Sequence, residues 1–258
     1  MRTPRPHPYL SPPHAGRRFG PLRTGLAWAV HFYTALGLVA GAAIAVLAVR
    51  ATGDAFRWAF ALMLAATLVD ATDGTLARAV RIKEVLPNFD GRRLDDLIDF
   101  LNYVFLPLFV VWRADLLPAG QDFWLLLPLL SSAYGFCQVS AKTDDGYFLG
   151  FPSYWNLVAF YLYAGQPLPG WLSLAVVVVL ALLTFVPSRY LYPTQRGRLN
   201  QLTLALCVPW VALLVAVLWT MPGGALTRPL LLLSLYFPAY YLIASWVVTL
   251  RTWRRPSA

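Results

Sequence analysis

Two short stretches, DATDGTLAR at residues 70–78 and GRRLDDLID at residues 91–99, place charged side chains next to long apolar segments. Each stretch adjoins an apolar window of about twenty residues, the length at which a helix crosses a bilayer. Ionisable groups at such positions are costly in lipid and therefore indicate a functional site. We accordingly expect these two stretches to determine both the class of protein and the location of its chemistry.

The composition agrees with a membrane protein. Of 258 residues, 59% are apolar and 13% are charged, whereas soluble domains carry about a quarter charged residues. The net charge of +9 is spread over short segments between apolar windows, which excludes a nucleic-acid surface and fits an anionic lipid surface. Residues 1–24 are rich in Pro and Arg and predict a disordered basic N-terminal arm.

The apolar windows predict an all-α, polytopic membrane helical bundle of about eight transmembrane helices, with six to eight as the acceptable range. The windows are residues 26–49, 56–77, 94–114, 121–140, 151–165, 171–189, 201–221 and 229–250. The window at 151–165 is short, so whether it fully spans stays open.

The basic residues predict the orientation of this bundle. With the N-terminus inside, only Arg50, Arg57, Arg113 and Arg228 of the 21 basic residues fall outside, the asymmetry that the positive-inside rule describes. Both termini are therefore predicted to be cytoplasmic. We predict a single membrane-embedded domain over residues 25–251, followed by a cytoplasmic tail at 252–258.

Four aspartates are predicted to meet at the cytoplasmic end of the bundle. Asp70 and Asp73 are spaced i, i+3 and share one helix face, whereas Asp95 and Asp99 are spaced i, i+4 on the next helix. Asp96 points elsewhere. Carboxylates that face one another repel unless they are protonated or bridged by cations, and hard divalent ions suit such an oxygen-rich cage.

Two other interpretations of the acidic residues stay open from the residues alone. In the first, the aspartates pair with Arg78, Arg92 and Arg93 and only fix the helices. In the second, they belong to an ion or proton pathway, although the other spans contain no acidic relay.

The two stretches together resemble the signature of the CDP-alcohol phosphatidyltransferase family. That signature is an aspartate, two residues, Asp-Gly, two residues, Ala-Arg, a spacer, and Gly-x-x-x-Asp-x-x-x-Asp. All of its fixed positions occur at residues 70–78 and 91–99.

The spacer resembles one branch of that family. Twelve residues separate Arg78 from Gly91, a longer spacer than most members have, and this length is similar to that of the bacterial phosphatidylcholine synthases. Residues 142–156 and 185–193 resemble the same branch. The resemblance implies a multi-pass protein of the bacterial inner membrane, an active site near the cytoplasmic face and a homodimer as the usual assembly.

The resemblance implies a metal-dependent transfer. Asp70, Asp73 and Asp95 would hold Mn²⁺ or Mg²⁺, and Asp99 would complete the metal site and act as general base. The donor would be CDP-diacylglycerol, held with the help of Gly74, Ala77, Arg78 and Gly91. The small residues would let the donor approach the helix backbone, and Gly91 would also allow the chain to turn.

Choline is the acceptor that the branch implies. A quaternary ammonium is held by aromatic faces near an acid, and Asp144, Tyr147 and Trp155 are the predicted acceptor residues. An aromatic belt at the membrane interface explains the same rings equally well. Serine, an inositol compound and glycerol 3-phosphate stay open as acceptors, as does a non-catalytic membrane carrier or ion transporter.

Overall fold

The computed structural model describes residues 19–143, 145–193 and 198–254. Its helices are α1 (Pro21–Arg50), α2 (Gly53–Ala79), α3 (Ile82–Val85), α4 (Gly91–Asp99), α5 (Leu106–Arg113), α6 (Leu126–Cys137), α7 (Trp155–Ala164), α8 (Gly170–Leu183), α9 (Arg198–Thr220), α10 (Thr227–Ser234) and α11 (Tyr236–Trp253). A π-helix, Phe100–Phe105, joins α4 to α5, and a 3₁₀ turn, Asp122–Leu125, precedes α6. Two short strands, β1 (Tyr147–Leu149) and β2 (Arg189–Leu191), pair antiparallel.

The chain is a helical membrane protein. Among the described residues, four helical segments are long and apolar enough to cross a bilayer: Pro21–Arg50, Gly53–Ala79, Arg198–Thr220 and Thr227–Trp253. Large apolar side chains such as Phe32, Leu130 and Trp219 are exposed by 70, 69 and 86%, as expected of surfaces that face lipid. Two further apolar helices, Asp122–Cys137 and Gly170–Leu183, are shorter.

The sequence-based helix boundaries need two corrections. The window at 151–165 contains only the ten-residue helix α7, which at 1.5 Å per residue is much shorter than a bilayer core. The window at 171–189 ends as a helix at Leu183, because Pro187 has no N–H to donate to the Leu183 carbonyl four residues earlier and its ring would clash with that carbonyl in a helix. The chain then continues into β2, so the prediction of an all-α fold missed one small strand pair.

A two-residue connection makes α1 and α2 antiparallel neighbours. Ala51 closes α1 in the left-handed conformation, and the Thr52 hydroxyl accepts a hydrogen bond from the backbone N–H of Ala55 at the start of α2. This tight turn fixes which face of α2 lies against α1. It thereby sets the direction in which Asp70 and Asp73 point.

Small residues on α1 let the helix that starts at Gly91 approach closely. A Cβ at Gly37 would overlap with the Ile98 side chain, and one at Gly41 would lie 3.0 Å from Leu101. The buried Asn102 amide donates to the Gly37 carbonyl at 3.0 Å. The glycine pair therefore serves close helix packing, as its spacing in the sequence indicates.

The hydroxyl groups of α11 anchor the strand pair to the bundle. Tyr241, Ser245 and Thr249, spaced four residues apart, lie along the edge of β2 that does not pair with β1. Thr249 Oγ1 accepts from the Arg189 N–H at 2.7 Å, Ser245 Oγ accepts from the Leu191 N–H at 3.1 Å, and the Tyr241 hydroxyl donates to the Leu191 carbonyl at 2.9 Å. A strand edge inside a membrane protein is thereby satisfied by side chains, as burial requires.

Gly150 is predicted to be required for the strand pair to reach the helices. Its φ is +77°, and a Cβ there would overlap with the backbone carbonyl oxygen of Thr184. We expect Gly150→Ala to lower the thermal midpoint in detergent, with a cost of about 1–3 kcal/mol from strain and overpacking. Gly120→Ala is the matched control, because Gly120 has a φ of +73° and open space around it. Equal midpoints for the two variants would contradict this explanation.

Candidate active site

The two aspartates of α2 are held by partners on different helices. Tyr103, in the π-helix, donates its hydroxyl to Asp70 Oδ2 at 2.8 Å. Thr34 of α1 donates to Asp73 Oδ2 at 2.8 Å. Asp73 is only 6% exposed, so its side chain is oriented inside the protein.

The helix α4 brings two more aspartates to the same place. One carboxylate oxygen each from Asp70, Asp95 and Asp99 lies within 4.8 Å of the others. These residues and Asp73 line one small crevice between α1, α2 and α4. The predicted meeting of the four acidic side chains is therefore present, with Asp73 set apart by its hydrogen bond to Thr34.

The structure argues against the interpretation that these aspartates are structural ion-pair partners. Among the described residues, ion pairs join Arg57 to Asp54, Arg93 to Asp90, and Arg189 to Asp145, and none includes the four clustered aspartates. Arg78 instead donates to the Thr75 hydroxyl at 2.9 Å, and Asp96 is exposed. Three close carboxylates without a basic partner repel one another unless a cation or protons intervene.

The carboxylate oxygens of the cluster are suitable ligands for a divalent metal. Carboxylate oxygens are the ligands that Mg²⁺ and related hard cations prefer, and the spacing of 4.8 Å or less lets a single ion contact three of them. Asp70, Asp95 and Asp99 could hold such an ion together. The Asp73 carboxylate lines the crevice as well, with one oxygen already engaged by Thr34.

A π-helix follows the site directly and has a local cause. Pro107 lacks a backbone N–H, and in a regular helix its ring would clash with the carbonyl four residues earlier. The chain from Phe100 to Phe105 widens to π geometry just before this proline. Such wide turns are frequent at functional sites, and this one carries Tyr103 to Asp70.

The residues predicted to bind CDP-diacylglycerol have different surroundings in the structure. Gly74 is open apart from the Arg78 guanidinium, which would lie 3.4 Å from an added Cβ. Ala77 packs against the small apolar cluster of Ala27, Val30 and Ile82. Arg78 is exposed.

Gly91 has a different local role from the one expected. Its φ is not in the left-handed region, so no backbone turn requires glycine there. A Cβ at Gly91 would instead overlap with the imidazole ring of His31 on α1. That ring packs at a tilt against Phe89, with the two centroids 4.4 Å apart. The glycine lets the start of α4 lie against α1.

The structure describes two of the three predicted acceptor residues and places them in different surroundings. Asp144 lies outside the described residues. Trp155 is 1% exposed, and its indole donates to the Ser132 hydroxyl at 2.8 Å, so the ring belongs to the core. Tyr147 is in β1, and the Arg189 guanidinium lies 5.6 Å from its ring centroid.

Three residues near the cluster escaped the sequence-based prediction. Thr34 and Tyr103 orient the aspartates, and Lys142 lies close enough for its charge to act on Asp70, Asp95 and Asp99. The position of Tyr103, four residues after Asp99, is a sequence signal that could have indicated it, because that spacing shares a helix face. For Lys142 the sequence offers no such signal, because a long loop brings it to the site.

Comparison with known proteins identifies the family. A protein named phosphatidylcholine synthase from Pseudomonas aeruginosa is 42% identical over 195 residues, covering 74% of this chain and 79% of the relative. The chain belongs to the bacterial phosphatidylcholine synthase family. A second member, from Borreliella burgdorferi, is 30% identical over 234 residues, covering 89% of this chain and 97% of the relative. A third, from Bradyrhizobium diazoefficiens, is 37% identical over 195 residues.

No protein-family model matches the chain. The resemblance to the phosphatidylcholine synthase family that the signature and its spacer predicted is nonetheless confirmed by these relatives, which match over most of the chain.

Metal binding should follow the carboxylate geometry. We expect the purified protein to bind Mn²⁺ in a titration followed by electron paramagnetic resonance, and Asp95→Asn to weaken that binding about tenfold or more, because one of three close charged ligands is lost. Asp96→Asn is the matched control, since Asp96 is adjacent but exposed. Equal losses in both variants would show that nonspecific charge, and not the cluster, attracts the ion.

Proposed function

We propose that this chain is a phosphatidylcholine synthase: it transfers the phosphatidyl group of CDP-diacylglycerol to choline and releases CMP. Membership of the family supports this activity, because the relatives from three bacteria carry that name. The observation that carries the mechanism is the convergence of Asp70, Asp95 and Asp99 within 4.8 Å. Such a cluster suits a reaction in which a diphosphate must be held and its charge neutralised.

The proposed metal is Mn²⁺ or Mg²⁺, held by Asp70, Asp73, Asp95 and Asp99. When bound, it supplies positive charge to the diphosphate of the donor and stabilises the CMP that leaves. Asp73 enters this set through the oxygen that Thr34 does not engage, since only its Oδ2 accepts from that hydroxyl. Gly74, Ala77, Arg78 and Gly91 are proposed to contact the donor, with the open face of Gly74 as the point of closest approach.

Asp99 is the proposed general base. Its carboxylate takes the hydroxyl proton of choline while the choline oxygen forms a bond to the phosphorus that bears diacylglycerol. The bond from that phosphorus to the CMP oxygen breaks in the same displacement, so no covalent enzyme intermediate is required. Tyr103 leaves Asp99 available, because its hydroxyl donates to Asp70.

Substrate access follows from the proposed topology, which has six to eight spans and both termini in the cytoplasm. In this arrangement residues 25–251 form one domain of the bacterial inner membrane, with the active site near the cytoplasmic face. The acyl chains of the donor stay in the bilayer, while choline and the cytidine head arrive from the cytoplasm. A homodimer is the proposed assembly.

The activity is tested with purified protein, CDP-diacylglycerol, Mn²⁺ and labelled choline, and the measured products are labelled lipid and CMP. We expect product with the native chain and a loss of at least a hundredfold in kcat for Asp99→Asn, because the amide cannot accept the proton. Asp96→Asn should retain activity. Full activity of Asp99→Asn would remove Asp99 as the base.

The acceptor is tested in the same assay with serine, inositol and glycerol 3-phosphate. Product with one of these alcohols and none with choline would replace choline as the acceptor and keep the transfer mechanism. No lipid product with any alcohol from folded, metal-loaded protein would favour the carrier or transporter interpretation.

The orientation is tested separately by reporter fusions. Alkaline phosphatase, which is active only outside the cytoplasm, should be inactive when fused after Arg254, and green fluorescent protein at the same position should fluoresce. The reverse result would place the C-terminus outside and contradict the orientation that the basic residues predict.

A further inference from the structure

The chain places one of its own cations against two aromatic rings beside the aspartate cluster. The Lys142 ammonium nitrogen lies 6.0 Å from the ring centroid of Phe148 and 5.8 Å from that of Tyr192. The two rings stack on each other with their centroids 4.3 Å apart. Aromatic rings at this distance attract a cation.

The strand pair explains why these three side chains meet. Lys142 forms an isolated antiparallel β-bridge with Phe148, and Phe148 pairs with Tyr190 of β2. Residues that pair directly place their side chains on the same face, so the side chains of Lys142 and Phe148 lie on one face of the strand pair. Tyr192 is two residues beyond Tyr190 and returns to that face, because strand side chains alternate. Tyr147, one residue from Phe148, is on the opposite face under Arg189.

Lys142 is also near the active site. It lies close enough to Asp70, Asp95 and Asp99 for its charge to act on them, although no ion pair joins Lys142 to a carboxylate of the described residues. A cation therefore has two favourable neighbours here, the pair of rings and the carboxylates. Lys142 is exposed on its loop, so its long side chain can leave this position without disturbing the core.

We propose that the Phe148–Tyr192 pair, now flanked by the Lys142 ammonium, is the site for the quaternary ammonium of the acceptor. The inference rests on the proposed function and specifies its acceptor site. A trimethylammonium group and a lysine ammonium carry the same charge, so the position that stabilises one stabilises the other. The two-carbon chain of choline then directs its hydroxyl toward the carboxylates, where Asp99 accepts the proton.

In this proposal the Lys142 ammonium occupies the site between substrate-binding events and is replaced there by the ammonium of choline. The diphosphate of the bound donor is a stronger partner for an ammonium than two rings are. Donor binding therefore withdraws Lys142 from the rings and toward the phosphates, and the vacated position receives choline. Donor binding and acceptor binding are coupled through this one side chain, which favours an order with the donor first.

The rings are tested by steady-state kinetics on Phe148→Leu and, independently, Tyr192→Leu. Each variant removes a ring and keeps an apolar side chain. We expect KM for choline to rise about three- to thirtyfold, the range that a lost cation–ring contact gives, with KM for CDP-diacylglycerol within twofold. Tyr134→Leu is the matched control, because Tyr134 also pairs with another ring, that of Phe185 at 5.1 Å, whereas Lys142 lies over Phe148 and Tyr192.

A second measurement separates cation recognition from a purely structural role. 3,3-Dimethylbutan-1-ol has the shape of choline with a carbon in place of the nitrogen, and it is offered as a competing acceptor. We expect the preference for choline over this neutral alcohol to fall in both ring variants and to stay constant in Tyr134→Leu. An unchanged preference in folded ring variants overturns the proposed site.

The variant Lys142→Met tests whether the Lys142 ammonium competes with choline for the ring site. We expect KM for CDP-diacylglycerol to rise and KM for choline to fall, because the variant removes a phosphate partner and a competitor together. Lys83→Met, which changes the other lysine of the chain, should alter neither. A rise of KM for choline in Lys142→Met overturns the role of Lys142.

These outcomes are separate from failure of the proposed function. If the native protein makes phosphatidylcholine but the ring variants keep their choline KM and their preference for choline, the function stands and this site is wrong. If the native protein makes no product with choline, the proposed acceptor itself fails.

Discussion

Mutual repulsion among three carboxylates is the constraint on which the rest of the structure depends. Oxygens of Asp70, Asp95 and Asp99 lie within 4.8 Å of one another in a chain that is otherwise built for lipid. Bringing like charges together at this distance raises the free energy of the fold unless a cation or protons are bound. The helices around the cluster must therefore hold it by contacts that compensate for the repulsion.

Those contacts are short and local. The Ala51–Thr52 turn keeps α1 and α2 side by side, and Thr34 of α1 then reaches Asp73. Gly37 and Gly41 let Asn102 donate across to α1. The first two contacts join α1 to α2 and the third joins the π-helix to α1, so both helices that carry the aspartates are held against α1.

The strand pair adds a rim to this site. Tyr241, Ser245 and Thr249 bind the outer edge of β2 through their hydroxyls, and β2 in turn holds β1. Because strand side chains alternate, Phe148 lies on one face of the pair and Tyr147 on the other. The face with Phe148 carries two aromatic rings and Lys142, and the hydroxyls of α11 satisfy the free edge of β2.

The sequence by itself determined the membrane class, the aspartates of the cluster and the family. The length of an apolar segment, the periodicity of a helix and the spacing of a signature are all local properties. Each can be recognised within a window of about twenty residues. It also predicted that the aspartates of two consecutive helices would meet, because a short connection leaves few other arrangements.

Only the tertiary structure decided the surroundings of that cluster. Tyr103 and Thr34 reach the aspartates across helix interfaces, and Lys142 comes from a loop far along the chain. Trp155 and Tyr147 look equally suitable in the sequence, yet one is buried against Ser132 and the other lies beside Arg189. The physical reason is that the burial of a side chain and the strand face on which it lies depend on residues distant in sequence. Composition does not specify which of those residues will be in contact with it.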